Sequence, residues 1–289
     1  MNISVVIPTL GLSDNLILTI ESLNNNSIKP FEILLCIPSD FKHNLSNLIF
    51  PTNVVIIETI PKGQVQQRIE GFRNVKSDYV LQIDDDCIVN NNLIAILYKK
   101  LASQNTPIAI APELRDIYSK KSFYNRKNNL LESVFRLLIN GNKKITPGSV
   151  TKAGINYGVD FVKYHSQKVT LEVDWLPGGC FMLNSKDLIF DNYFPFNGKA
   201  YCEDLIHSFL LKKNGVKLFV TNETYCETHI DNNLSQSLTF KLKNFWNELK
   251  IRYYYVKLCD LSRFHLIIYS IISVFKIIFR HLFNFQDEE

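Results

Sequence analysis

The chain has 289 residues, 46% of them apolar and 21% charged, which excludes a disordered protein and leaves one large α/β domain with an extension, or two small domains. A net charge of +4 is too slight to argue for nucleic acid as a partner. The six cysteines (Cys36, Cys87, Cys180, Cys202, Cys226, Cys259) form no C-x-x-C pair, which excludes a zinc-ribbon or redox motif and fits a reducing cytoplasm.

Read in chain order, the start MNISVVIPT is a first strand, Ile3–Pro8, and lacks the basic and apolar regions of a signal peptide. Ser13–Asn24 is expected to be a helix, with Leu16, Ile17, Ile20 and Leu23 at helical spacing and Ser13 as its N-cap. Glu32–Ile37 and Val54–Glu58 are the second and third strands. Gly63–Val75 is helical, with Val65, Ile69 and Phe72 on one face, and Tyr79–Ile83 is the fourth strand. Asn92–Ala102 is the next helix. Such alternation with nearly continuous apolar strands predicts a buried, mostly parallel sheet. Ligands of these sheets bind beyond the carboxyl ends of the strands, where Pro8, Thr9, Pro38, Ser39 and Asp84–Asp86 all fall.

Residues 115–168 are less regular and carry many lysines and arginines, which reads as a solvated surface or a loop over the site. Leu205–Lys213 is a further helical run. From about residue 236 the character changes. Phe240–Cys259 mixes Lys241, Lys243, Lys250, Arg252 and Lys257 with aromatic residues, and Phe264–Phe285 is strongly apolar. At 100° per residue, His265, Tyr269, Ser273, Lys276, Arg280 and Asn284 lie within about 100° of one another, and the remaining face is apolar. Lys276 and Arg280 interrupt the run, so an interfacial helix fits better than a membrane span; packing on the domain or on a second subunit is the alternative. The expected organisation is a catalytic domain over residues 1–235 and a helical extension over 236–289.

The chemistry centres on Asp84-Asp85-Asp86, which closes an apolar strand. Strand alternation sends Asp84 and Asp86 to one face and Asp85 to the other. Two carboxylates on one face repel, and a hard divalent cation such as Mg²⁺ or Mn²⁺ relieves the repulsion while leaving positions for phosphate oxygens. An acidic turn capping the next helix is the plainer reading. Three other pieces accompany the aspartates: VVIPT (Val5–Thr9), G-x-x-x-x-R from Gly63 to Arg68, and WLPGGCFML (Trp175–Leu183) followed by Tyr201-Cys202-Glu203-Asp204.

The ordered set, over about residues 1–230, resembles family 2 of the nucleotide-sugar glycosyltransferases, of the bacterial surface-polysaccharide type. The resemblance implies a GT-A fold: a Rossmann-like, mostly parallel sheet flanked by helices, here with a C-terminal helical extension. It implies a nucleotide-sugar donor, a saccharide or polyprenyl-linked acceptor, a divalent metal and inversion at the anomeric carbon. It places Pro8 and Thr9 near the nucleotide, Arg68 by the base or diphosphate, and Asp84 and Asp85 by the ribose and metal–diphosphate. Asp86 becomes the main metal ligand, with His229 of the run YCETH as a second. Gly178 and Gly179 let backbone approach the sugar. Glu203-Asp204 matches the family's acidic pair, whose aspartate is the general base; the two acids also suit the first turn of the helix behind them. Cysteine usage, together with the basic–aromatic stretch and the amphipathic helix after it, points to a cytoplasmic enzyme, peripheral on the inner membrane face.

One departure stands out. Where many members carry an acidic pair that contacts the base, this chain reads Cys36-Ile37-Pro38-Ser39. Other classes fit less well. A D-x-D phosphohydrolase needs its aspartates on the first strand, which here has none, and the dinucleotide fingerprint G-x-G-x-x-G is missing. A catalytically silent relative that binds a sugar nucleotide or a partner is the remaining alternative.

Overall fold

The computed structural model describes residues 2–60, 63–124, 130–141, 144–164, 167–229 and 237–283. Four strands, β1 (Ile3–Pro8), β2 (Glu32–Pro38), β3 (Val54–Thr59) and β4 (Tyr79–Ile83), pair in parallel in the order β3-β2-β1-β4. Every residue of β1 and β2 is buried, as expected for strands covered on both faces. β8 (Cys180–Asn184) joins β4 antiparallel, and β6 (Ile108–Asp116) follows it. β9 (Lys217–Thr228) lies parallel to β6, and the short β5 (Ile88–Val89) and β7 (Thr170–Glu172) each pair antiparallel with β9. Among the described residues this is one nine-stranded sheet. β8, β5 and β7 run against the other six strands, so the sheet is mostly parallel.

Helices α1 (Leu16–Asn24), α2 (Gln64–Arg73), α3 (Leu93–Ala102) and α5 (Glu203–Lys213) accompany the sheet, each turning apolar side chains inward. α2 sits closest. A Cβ on Gly71 would come within 2.5 Å of Val6 Cγ1 and 2.6 Å of Cys36 Sγ, so only glycine lets this helix rest on β1 and β2. The helix expected from Ser13 begins at Leu16, and Ser13 is not its cap. Its hydroxyl donates instead to the Asp85 carbonyl at 3.1 Å, across to the end of β4.

The chain divides into two compact units, Met1–Asn125 with Val159–Ile230, and Arg126–Gly158 with Asp231–Glu289. The first holds the whole sheet. The second contains α4 (Leu130–Asn140), α6 (Leu238–Leu258) and α7 (Arg263–Phe283). The basic stretch read as solvated surface therefore contains a helix. Ile139, Ala153, Ile155 and Tyr157 form a small core there, with Phe135, Ile145 and Tyr269 packed against it. A buried Arg252 donates to the Gly154 carbonyl at 2.5 Å and to Glu248 at 2.6 Å, fixing α6 to the segment before it. Beyond those pairs, α7 packs on both α4 and α6.

Candidate active site

The crevice opens where the carboxyl ends of β1 and β4 meet the first turn of α2. A cavity of about 960 Å³ is lined there by Pro8, Thr9, Ser13, Gly63, Gln64, Gln67, Asp85 and the loop from Asn197 to Ala200, with Leu10 and Leu12. The strand stops at Ile83, so the aspartates lie in the turn that follows and the expected two-face alternation does not reach them. Each is held differently. Asp84 accepts from Arg68 at 2.5 Å and from Gln64 at 2.9 Å. Asp85 accepts from the Thr9 hydroxyl at 2.5 Å, while its carbonyl takes bonds from Ser13 and Thr19. Asp86 turns toward the end of β9, where Thr228 donates to it.

Two of the three carboxylates are costly as they stand. Burial pushes Asp85 up to about 6; the bond from Thr9 pulls it down, and Asp84 and Asp86 push it up again. Burial and then Asp84 raise Asp86 as well. Beneath them the floor is neutral. Cys87, Cys180 and Cys226 are buried together with raised thiol pKa values, a neighbouring cysteine being the leading cause at Cys87 and Cys226 and burial at Cys180. Cys87 donates to the Gly179 carbonyl at 3.4 Å.

Arg68 is 1% exposed, so its guanidinium works inside the protein. It donates to Glu203 at 2.5 Å, to Asp84 at 2.5 Å and to the Gly178 carbonyl at 3.2 Å. Burial pushes its pKa down, but Glu203 and Asp84 outweigh that and the net shift is upward. Glu203 is buried too and accepts a second bond from Tyr193 at 3.3 Å. Tyr193 stacks on His207, ring centroids 5.0 Å apart, and burial with the nearby Arg68 lowers that histidine to about 3, so it is neutral. Asp204, one residue on, is half-buried at the N-terminus of α5 and accepts from the Leu205 N–H at 2.9 Å. The left-handed Cys202 (φ 54°) makes the sharp entry to that helix.

Gly178 and Gly179 behave differently. A Cβ on Gly178 would stand 2.5 Å from Glu203 Oε1, whereas one on Gly179 would make ordinary contacts, 3.5 Å from Asp84 and 3.7 Å from Cys87. Gly178→Ala is expected to cost about 1–3 kcal/mol by pushing Glu203 off Arg68, and Gly179→Ala far less. Chemical denaturation of both variants checks this, and equal losses would contradict it.

Pro8, Thr9 and Asp85 therefore share the cavity, and Asp84 is one hydrogen bond from its wall through Gln64. Gln64, Gln67 and Lys199 are lining residues that sequence reading missed. Gln67 bridges the carbonyls of Thr9 and Cys36 at 2.8 and 2.7 Å. Its only sequence signal is its place three residues after Gln64 and one before Arg68. At Cys36 the end of β2 offers the cavity's frame a backbone carbonyl in place of the missing carboxylate.

A divalent cation fits this donor set. Asp86 supplies a hard carboxylate whose ionisation is impeded until a positive charge arrives. The β5–β9 ladder pairs Ile88 with Glu227, and Asp86 and His229 each lie two residues beyond that end of it. The His229 ring rests on Tyr118, centroids 5.1 Å apart. Among the described residues no three His, Cys, Asp or Glu side chains group as a metal cage. A two-residue site leaves its other positions for phosphate oxygens and water, the usual arrangement for Mg²⁺.

A mostly parallel sheet with a crevice beyond the carboxyl ends of its strands defines an α/β protein of the class that binds ligands at that edge. The model of glycosyl transferase family 2 matches residues 4–159, more than half of the chain, and the chain belongs to that family. Among solved structures it is similar to GalNAc-T7, crystallised with UDP, GalNAc and Mn²⁺, at 15% identity and a TM-score of 0.56. That match covers 80% of this chain but 44% of the other, so the chain spans less than half of that structure's length. S. aureus TarS 1-349 is similar at 14% identity, with 92% and 68% of the two chains covered and a TM-score of 0.48. No curated protein matches.

Proposed function

We propose that this chain is an inverting glycosyltransferase that moves a sugar from a nucleotide-sugar donor to a hydroxyl of a saccharide or polyprenyl-linked acceptor. The observation that carries the reading is the crevice itself: Thr9 and Asp85 are locked together on its wall while Asp204 opens the helix behind Gly178. The nucleotide lies along Pro8, Thr9, Gln64 and Gln67, with polar groups to orient it. Asp86 and His229 hold a divalent cation, Mn²⁺ or Mg²⁺, which when bound neutralises charge developing on the departing diphosphate.

Asp204 accepts the proton from the attacking hydroxyl, which approaches opposite the leaving group and so inverts the anomeric carbon. Glu203 and Arg68 act through others. Their buried ion pair fixes the first turn of α5, and with it Asp204, against the turn that carries Asp84. The floor of neutral thiols adds no charge to compete with the diphosphate for the cation. The enzyme works in the cytoplasm, in peripheral contact with the membrane where a polyprenyl-linked acceptor would lie.

The test is a panel of nucleotide sugars incubated with the protein and Mn²⁺, with release of nucleoside diphosphate measured. Release from one donor class is the expected result. Binding of nucleotide sugars with no release, even with acceptors supplied, would favour the silent alternative.

A further inference from the structure

We propose that α6 and α7 form a docking surface for an anionic lipid bilayer, with α7 lying in the interface and not crossing it. This deepens the membrane contact suggested above, and the surface can be tested without donor, acceptor or turnover.

Helix α7 leaves its longest apolar stripe facing water. A helix of a water-soluble protein turns its apolar side to the core. Here the packed side is a mixed one, holding the buried Leu266 with the partly buried His265 and Tyr269. Tyr269 lies against Phe135 and Phe245, each at 6.3 Å between ring centroids, and the Arg252 guanidinium stands 5.8 Å from the Tyr269 ring. Lys276 sits 3.9 Å over the ring of Phe135, and His265 bonds Ser262 at 2.7 Å. The opposite side carries Phe264, Ile267, Ile271, Phe275 and Leu282, between 58% and 74% exposed. With Ile278 they recur every three or four residues, within about 80° of the helix circumference. An ordered apolar stripe of this length facing water marks a contact surface.

Charge says what covers it. On α6 the exposed Lys243, Trp246, Lys250, Tyr253 and Lys257 follow one another at the same three-and-four spacing, so lysine and aromatic rings alternate along one edge. Trp246, Lys250 and Tyr253 line a groove of about 540 Å³ together with Arg263 and Ile267 of α7. The basic–aromatic edge thus borders the apolar stripe, the order in which a bilayer presents headgroups and then acyl chains. Residues 238–283 contain eight lysines and arginines but two acids, Glu248 and Asp260, and Glu248 is bonded to Arg252. A second copy docked here would bring lysines toward lysines, whereas anionic headgroups complement them.

Arg263–Leu282 is long and apolar enough to cross a bilayer, and only 6% of it is buried. Yet α7 is packed on α4 and on the charge-bearing α6, and crossing would draw those charges toward the bilayer core. A helix lying flat satisfies both faces.

Flotation of the full chain with vesicles of phosphatidylcholine alone, and with phosphatidylglycerol added, tests this. Binding is expected with the anionic vesicles and reversed by alkaline carbonate. Joint replacement of Lys243, Lys250 and Lys257 by glutamine should weaken it by about 10²-fold. Ile271→Ser with Phe275→Ser should abolish it while circular dichroism is unchanged, since both positions are exposed. A chain that ignores anionic vesicles would overturn the proposal. So would carbonate-resistant insertion, or a dimer in sedimentation that Phe275→Ser dissociates. Any of these could occur with nucleotide-sugar turnover intact, so the surface and the reaction fail separately.

Discussion

Asp204→Asn is expected to lower the rate of transfer by about 10²-fold or more, the usual worth of a positioned general base. Asparagine keeps the size of the side chain and the acceptor for the Leu205 N–H, so the first turn of α5 should survive. What it loses is the capacity to take a proton. The loss should therefore fall on kcat, with donor affinity unchanged. An equal loss of donor affinity would put Asp204 in the nucleotide site instead, and a near-normal rate would place the base elsewhere.

Arg68→Met should be the most destabilising single change in the crevice, at about 3–5 kcal/mol. The methionine fills much of the space but leaves Glu203 buried and without its cation, with Asp84 beside it. Adding Glu203→Gln should recover part of the loss, because a neutral amide costs less to bury than an unpaired carboxylate. Denaturant unfolding of the single and double variants reads both terms. A loss below about 1 kcal/mol would mean the triad is solvated and the account of Arg68 as an internal tie is wrong.

The parallel half of the sheet was legible because β1, β2 and β4 are short apolar runs ended by proline or by acids, and burial on both faces requires such runs. β9 was less visible. Its sequence KLFVTNETYCET alternates polar and apolar residues and shifts register against β6 between Pro112 and Glu113. α4 was hidden by the basic residues around it, although its own apolar spacing is helical.

In the crevice, the types of the residues could be read but not their partners. The two carboxylates that hold Arg68 lie 16 and 135 positions away, and spacing says nothing about pairs so distant. Ser13 looked like a cap for the same reason, its true acceptor being the Asp85 carbonyl. For α7, the pattern separated a polar side from an apolar one; which of them packs on α4 and α6 could not be read from it, and it is the side that carries Leu266 and Tyr269.

The central claim is that this crevice takes a nucleoside diphosphate through a cation held by Asp86. Calorimetric titration of UDP, GDP and dTDP into the protein with Mn²⁺, repeated with EDTA and with Asp86→Ala, addresses it most directly. The account predicts that one of the three binds in the presence of Mn²⁺, and that chelation and the substitution each remove the binding without changing the melting behaviour of the metal-free protein. Binding that survives both EDTA and Asp86→Ala would contradict it.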